Sequence, residues 1–176
     1  VAELAGDPRL LALAQSVLGK SAKPYRATLF DKSPESNWLV PWHQDTVLPL
    51  RSRRAVPGWG PWSVKGGVLY ANAPAAALER VIALRIHLDD SLADNGPLRV
   101  LPGTHRMGVL SQASIQALAA STPPHQCTVP AGGVISMRPL LVHASSKSVA
   151  ALPRRVLHIE YAAALHLGSE LDLEVA

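Results

Sequence analysis

Cysteine, phenylalanine and methionine are nearly missing from this chain: one Cys, one Phe and two Met in 176 residues. The lone Cys127 excludes an internal disulfide and fits a reducing compartment, where its plainest role is that of a small buried hydrophobe. No apolar run approaches the roughly 20 residues of a membrane span. No basic-plus-apolar leader marks the chain for export. The expectation is a cytoplasmic protein without a membrane partner. Neither sign of charge dominates, with 17 Lys and Arg against 13 Asp and Glu. The basic residues are spread out, apart from Arg51, Arg53 and Arg54 and the pair Arg154 and Arg155. An ordinary solvated basic surface is the simpler reading, and no nucleic-acid partner is expected. Internal repeats and low-complexity segments are also lacking.

What is present is a globular composition, 48% hydrophobic and 17% charged, long enough for one domain with a real core. The expectation is a single domain over 1–176. The chain begins without Met, at an amphipathic segment, and could have lost an N-terminal portion. Pro8 to Leu18 carries apolar residues at helical spacing and stops at Gly19, which predicts a short helix. Ser111 to Ala120 predicts another, capped by Ser111, and Pro74 to Arg80 a helical turn. Strands are expected at 24–30, 38–43, 81–89, 98–101, 126–130, 133–137, 140–143 and 154–163. Many short strands with Gly/Pro turns indicate a mainly β protein, a sandwich or barrel. Residues 46–67 hold three prolines, four glycines and two tryptophans without a period. That predicts a long loop serving as a lid or substrate wall, with Trp59 and Trp62 either stacking on substrate or pinning the loop to the core.

The chemistry concentrates in four residues. His43 and Asp45 stand two apart, so on a strand both side chains share one face. His143 ends a second apolar run about a hundred residues later. Two imidazoles and one carboxylate form the ligand set of a non-heme iron(II) site with open positions. Arg154 follows His143 by eleven, and a guanidinium fork suits the carboxylate of a dicarboxylate cosubstrate. Alternation separates Arg154, Val156, His158 and Glu160 from Arg155, Leu157, Ile159 and Tyr161, so only one of the two arginines points inward. Likewise Arg85, His87 and Asp89 lie opposite Ile82, Leu84, Ile86 and Leu88.

Four segments carry a family likeness: Trp-His-Gln-Asp at 42–45, Asn-Gly-Pro-Leu-Arg-Val-Leu-Pro-Gly-Thr-His at 95–105, Pro-Leu-Leu-Val-His-Ala-Ser at 139–145 and Arg-Arg-Val-Leu-His-Ile-Glu-Tyr at 154–161. With these, in this order, the chain resembles the phytanoyl-CoA dioxygenase family of iron(II)- and 2-oxoglutarate-dependent oxygenases. The resemblance implies a double-stranded β-helix, a cupin-like jelly-roll with a few flanking helices. It implies iron ligation by His43, Asp45 and His143, with 2-oxoglutarate held at its distal carboxylate by Arg154. Ser145 and Lys32 match positions that assist that carboxylate. The family commonly has a tryptophan where Arg85 stands. Arg85 is thus either a further cation facing cosubstrate or an acidic substrate, or a structural partner of Asp89. His105 is read as a turn or pocket-wall residue.

The implied reaction uses Fe(II), 2-oxoglutarate and O2 to hydroxylate an aliphatic C–H of a small-molecule substrate, releasing succinate and CO2. Related halogenases lack the carboxylate ligand, so Asp45 favours hydroxylation. Two other readings stay open: a non-catalytic jelly-roll that binds metal or a small ligand, and a nucleic-acid demethylase of the same fold. The substrate and the oligomeric state, monomer or dimer, are not encoded in these motifs.

Overall fold

The computed structural model describes residues 2–168 and 170–175. The chain opens with α1 (Ala2–Ala5) and α2 (Pro8–Leu18). Asp7 caps α2 by accepting the Arg9 N–H at 2.8 Å, and Pro8 takes a first-turn position where no N–H is needed. There follow β1 (Lys23–Lys32), β2 (Val40–His43), β3 (Val47–Leu50), β4 (Trp62–Lys65), β5 (Val68–Asn72), α3 (Ala75–Leu78), β6 (Val81–His87) and β7 (Leu98–Val100). A 3-10 turn at Thr104–Arg106 leads to α4 (Gln112–Ser121), which Ser111 caps through the Ser114 N–H. The last strands are β8 (His125–Cys127), β9 (Val134–Met137), β10 (His143–Ser145), β11 (Arg154–Ala162), β12 (His166–Gly168) and β13 (Leu171–Asp172).

Two four-stranded antiparallel sheets form the body, a major one in the order β1-β11-β6-β9 and a minor one in the order β2-β10-β7-β8. This is the jelly-roll architecture. Strand alternation sorts the residues. The outer face of the major sheet presents Ile82, Leu84, Leu157, Ile159 and Tyr161 to Leu10 and Ala14 of α2. The outer side of the minor sheet packs Leu101 and Val142 against Ile115 of α4. Each of these buried Leu, Ile and Val side chains contributes roughly 1.5–3 kcal/mol by leaving water. Between the sheets, Ala83 and Met137 meet Leu98 and Val100 over part of the interface only. The remainder of the inner space is polar.

The segment 46–67 corrects the expectation of one long loop. It contains β3 and β4, which flank β5 in a three-stranded antiparallel sheet. Leu48, Pro49 and Leu50 are consecutively buried, so β3 shows no period of two, and that removed the sequence signal. The irregular part shrinks to residues 51–61. His143 starts its strand rather than ending one: the preceding Leu141 N–H turns back to the Arg138 carbonyl (3.0 Å), and the Val142 N–H bonds Thr104 Oγ1 (2.9 Å). Among the described residues no helix is long and apolar enough to cross a membrane.

Candidate active site

His43 on β2 and His143 on β10 are directly opposite each other in the minor sheet. Opposed residues of an antiparallel pair share a face, and the two rings stand 4.2 Å apart between centroids. Asp45 lies just past the end of β2, its N–H fixed by the Pro139 carbonyl at 2.9 Å. Its carboxylate reaches both rings: Oδ1 is 3.5 Å from His43 Nε2 and Oδ2 is 3.6 Å from His143 Nε2. One donor atom from each of the three residues falls within 4.8 Å of the others. Each ring also sets Nδ1 against the carbonyl two residues earlier, Pro41 or Leu141, at 2.8 Å. Nδ1 then donates, and the Nε2 lone pair faces the shared point, which is how metal-binding imidazoles are oriented. Burial pushes the Asp45 carboxyl up, but the His43 hydrogen bond and the nearby imidazoles hold it at about 2. The donor set fits a divalent cation that keeps open positions.

Gln44, between His43 and Asp45, points the opposite way. Its buried amide donates to the Leu140 and Gly108 carbonyls (2.7 and 2.9 Å) and accepts the Leu110 N–H (2.8 Å). It ties the β2 end to the turn before His143, and so holds the triad's two halves in register.

The triad faces a cavity of about 160 Å³ between the sheets, lined also by Lys32, Arg85, Ser145, Arg154 and His158. Lys32 and Arg154 are register partners on β1 and β11. Lys32 donates to Ser145 Oγ (2.7 Å) and the Ser146 carbonyl (2.6 Å). Ser145 Oγ in turn donates to the Gly96 carbonyl (2.8 Å), and Arg154 Nε donates to the Asn95 carbonyl (3.1 Å). The Asn95-Gly96 turn therefore braces the whole cationic end. Gly96 has φ +69°, and a Cβ there would overlap the Ser146 carbonyl oxygen and crowd the Lys32 stem. Only glycine satisfies both constraints.

Arg85 resolves the open alternative. It does not pair with Asp89, which instead takes both the Arg155 side chain and its N–H outside the barrel. Arg85 points inward, donates to His158 Nδ1 at 3.1 Å and lies over the Phe30 ring at 5.4 Å. Burial, then the Arg154 charge, lowers its guanidinium to about 10. Burial followed by these same cations lowers Lys32 to about 8, and burial followed by Arg85 lowers His158 to about 3. Arg85 Nε and Arg154 Nη1, both on the cavity wall, are buried without a hydrogen-bond partner among the described residues. Orphaned donors in a cation-lined cavity fit an anionic guest, because leaving them dry is costly. A dicarboxylate such as 2-oxoglutarate suits this end.

Other expected residues fall elsewhere. Trp59 and Trp62 pack against the core beside Leu48 and Leu50, and among the described residues none of 46–67 lines the cavity. Of the two roles open to these tryptophans, this packing supports pinning the segment to the core. Arg53 lies over Trp62 and Arg54 is 3.5 Å from Glu170. His105 belongs to the 3-10 turn, outside the cavity. Arg26, Trp38 and Phe30 also line the cavity, and nothing in their local sequence singled them out.

A jelly-roll with a His-x-Asp…His triad opening on a cation-lined cavity defines a metal-dependent oxygenase class of fold and site. The family model described as phytanoyl-CoA dioxygenase matches residues 1–156, and the chain belongs to this family. Among curated proteins it is similar to L-proline trans-4-hydroxylase of Streptomyces griseoviridis, 26% identical over 186 aligned positions that cover 91% of this chain and 62% of the relative. Among solved structures it resembles AviO1 from Streptomyces viridochromogenes Tue57, with TM-score 0.65 and 28% identity over 91% of this chain and 59% of the other. The fold also matches EctD from S. alaskensis with bound Fe, with TM-score 0.66 and 24% identity, covering 92% of this chain and 52% of that one. The chain thus spans about half to under two thirds of the length of these relatives.

Proposed function

We propose that residues 1–176 form a single iron(II)- and 2-oxoglutarate-dependent oxygenase domain that hydroxylates an aliphatic C–H of a small molecule. The observation that carries the reading is convergence: the three metal-type donors and Ser145 on the minor-sheet side, and Lys32 and Arg154 on the major sheet, face one cavity. In this reading His43, Asp45 and His143 hold the metal. Arg154 and Lys32 hold the distal carboxylate of the cosubstrate, and Ser145 orients Lys32. Arg85 supplies the orphaned Nε to the same guest. Iron(II), when bound, would supply the oxidising chemistry with O2 and 2-oxoglutarate, and the cosubstrate alone would be converted to succinate and CO2. The protein's part is to position these groups and to exclude water, which the sheets and the Phe30 and Trp38 rings around the cavity favour.

A small-molecule substrate is supported by the relative named for hydroxylating L-proline. Incubating the protein with iron(II), 2-oxoglutarate and O2 tests the reading through succinate release. Wild type is expected to release succinate even without substrate, at a slow uncoupled rate, and Asp45→Ala to release none. No release from wild type would point instead to a ligand-binding module.

A further inference from the structure

The inner face of the major sheet is a graded row of side chains. Register pairs Lys32 with Arg154, then Phe30 with Val156, Thr28 with His158 and Arg85, and finally Arg26 with Glu160. Arg26 stands six residues from Lys32 on one regular strand, roughly 20 Å along it. It therefore lies at the far end from the cluster assigned to the cosubstrate. Its side chain is 27% exposed, whereas Lys32, Arg85 and Arg154 are buried.

The charges do not balance. Arg26, Lys32, Arg85 and Arg154 line the cavity, against Asp45 on its wall and Glu160 beside Arg26. An iron(II) ion and a 2-oxoglutarate dianion carry equal and opposite charge. Filling the site with both leaves two positive charges uncompensated.

Arg26 is also built as a donor. Glu160 is buried, and its two carboxylate oxygens are taken by Tyr25 Oη (3.1 Å) and Arg26 Nε. It therefore holds Arg26 in place. Arg26 Nη1 donates to Tyr70 Oη at 3.5 Å, and the guanidinium lies 5.8 Å from the Tyr70 ring centre. Among the described residues Nη2 has no bonded acceptor. The Tyr70 oxygen accepts from Arg26, so its own O–H is free to donate.

We propose that Arg26 Nη2 and the Tyr70 O–H form a two-donor clamp for a carboxylate of the substrate, making the substrate a small carboxylic or amino acid. Two adjacent donors, one from a fixed fork, match the two oxygens of a carboxylate. Glu160 is the positioning residue. Tyr70 comes from β5, so the three-stranded sheet reaches the site through the Tyr70 contact with Arg26, which lines the cavity. The inference rests on the oxygenase reading above and adds the substrate class.

The test uses the protein loaded anaerobically with iron(II) and 2-oxoglutarate, whose charge-transfer absorption reports loading. Calorimetry then compares L-proline, L-leucine and octanoate, each against its own amide. Wild type is expected to favour the acid over the amide by at least about tenfold in one or more pairs, the value of one charge-assisted contact. Tyr70→Phe should reduce that preference several-fold and Arg26→Lys should erase most of it, with the absorption band unchanged in both. No acid preference in any pair, or a preference that survives both substitutions, overturns the clamp. Loss of the band in both variants would assign Arg26 and Tyr70 a purely structural role and overturn it equally. Absence of the band in wild type would instead remove the iron and 2-oxoglutarate reading on which the clamp stands.

Discussion

The two faces of β6 and β11 are made by the same strands, one residue out of step, yet they obey opposite rules. The outer face carries Ile82, Leu84, Leu157 and Ile159, dry and packed on α2. The inner face carries Arg85, Arg154, His158 and Glu160, buried as deeply but charged or polar. The outer face contributes stability. The inner face spends some of it, since desolvated cations and orphaned donors weaken a fold until something binds them. Binding sites are where such local violations are expected.

Substitutions can break that comparison at graded strength. The largest effect is expected at the metal donors: Asp45→Ala should abolish succinate formation while the melting temperature holds, measured by coupled assay and thermal unfolding. On the outer face, Leu84→Ala should cost about 2–5 kcal/mol in denaturant unfolding, yet leave the KM for 2-oxoglutarate near wild type. Arg154→Ala should do the reverse, raising that KM about a hundredfold with little loss of stability. Lys32 adds a pH signature. Its ammonium is lowered to about 8, so its charge is present below that pH and is lost as pH rises through it. The kcat/KM for 2-oxoglutarate should therefore be level below pH 8 and fall above it, and Lys32→Arg should remove the inflection. The smallest effect sharpens the contrast most. Arg85→Met should stabilise the unliganded protein by about 1–2 kcal/mol while weakening 2-oxoglutarate binding. A loss of stability in that variant would show the inner face to be structural after all.

Legibility in the sequence followed the same division. Where one face meets apolar partners and the other does not, alternation is a reliable sign, and it correctly separated Arg154 from Arg155 and Arg85 from Leu84. The α2 span was readable from apolar residues at helical spacing that stop at Gly19, and the start of α4 from its cap Ser111, whereas the Asp7 cap of α2 appeared only in the structure. The three-stranded sheet was not, because β3 is buried on consecutive residues and its neighbours are rich in proline and glycine. Gln44, Asn95 and Gly96 were visible as letters of motifs, but their work is done on backbone atoms far away in the chain. Arg26 and Tyr70 are 44 residues apart, and no local pattern connects them.

By itself, the order of residues determined which chemical groups this protein owns. It supplied two imidazoles and a carboxylate at strand spacing, an arginine eleven past the second histidine, and the outward hydrophobic stripe that forces the rest inward. The tertiary structure decided what those groups meet. Closing two sheets on each other places His43 opposite His143 and Lys32 opposite Arg154. It turns Arg85 away from Asp89 and into the cavity, and brings Tyr70 to Arg26. The physical reason is that strand period sets the face of a side chain locally, whereas its partner across the barrel depends on register and sheet order, which only the packed whole fixes.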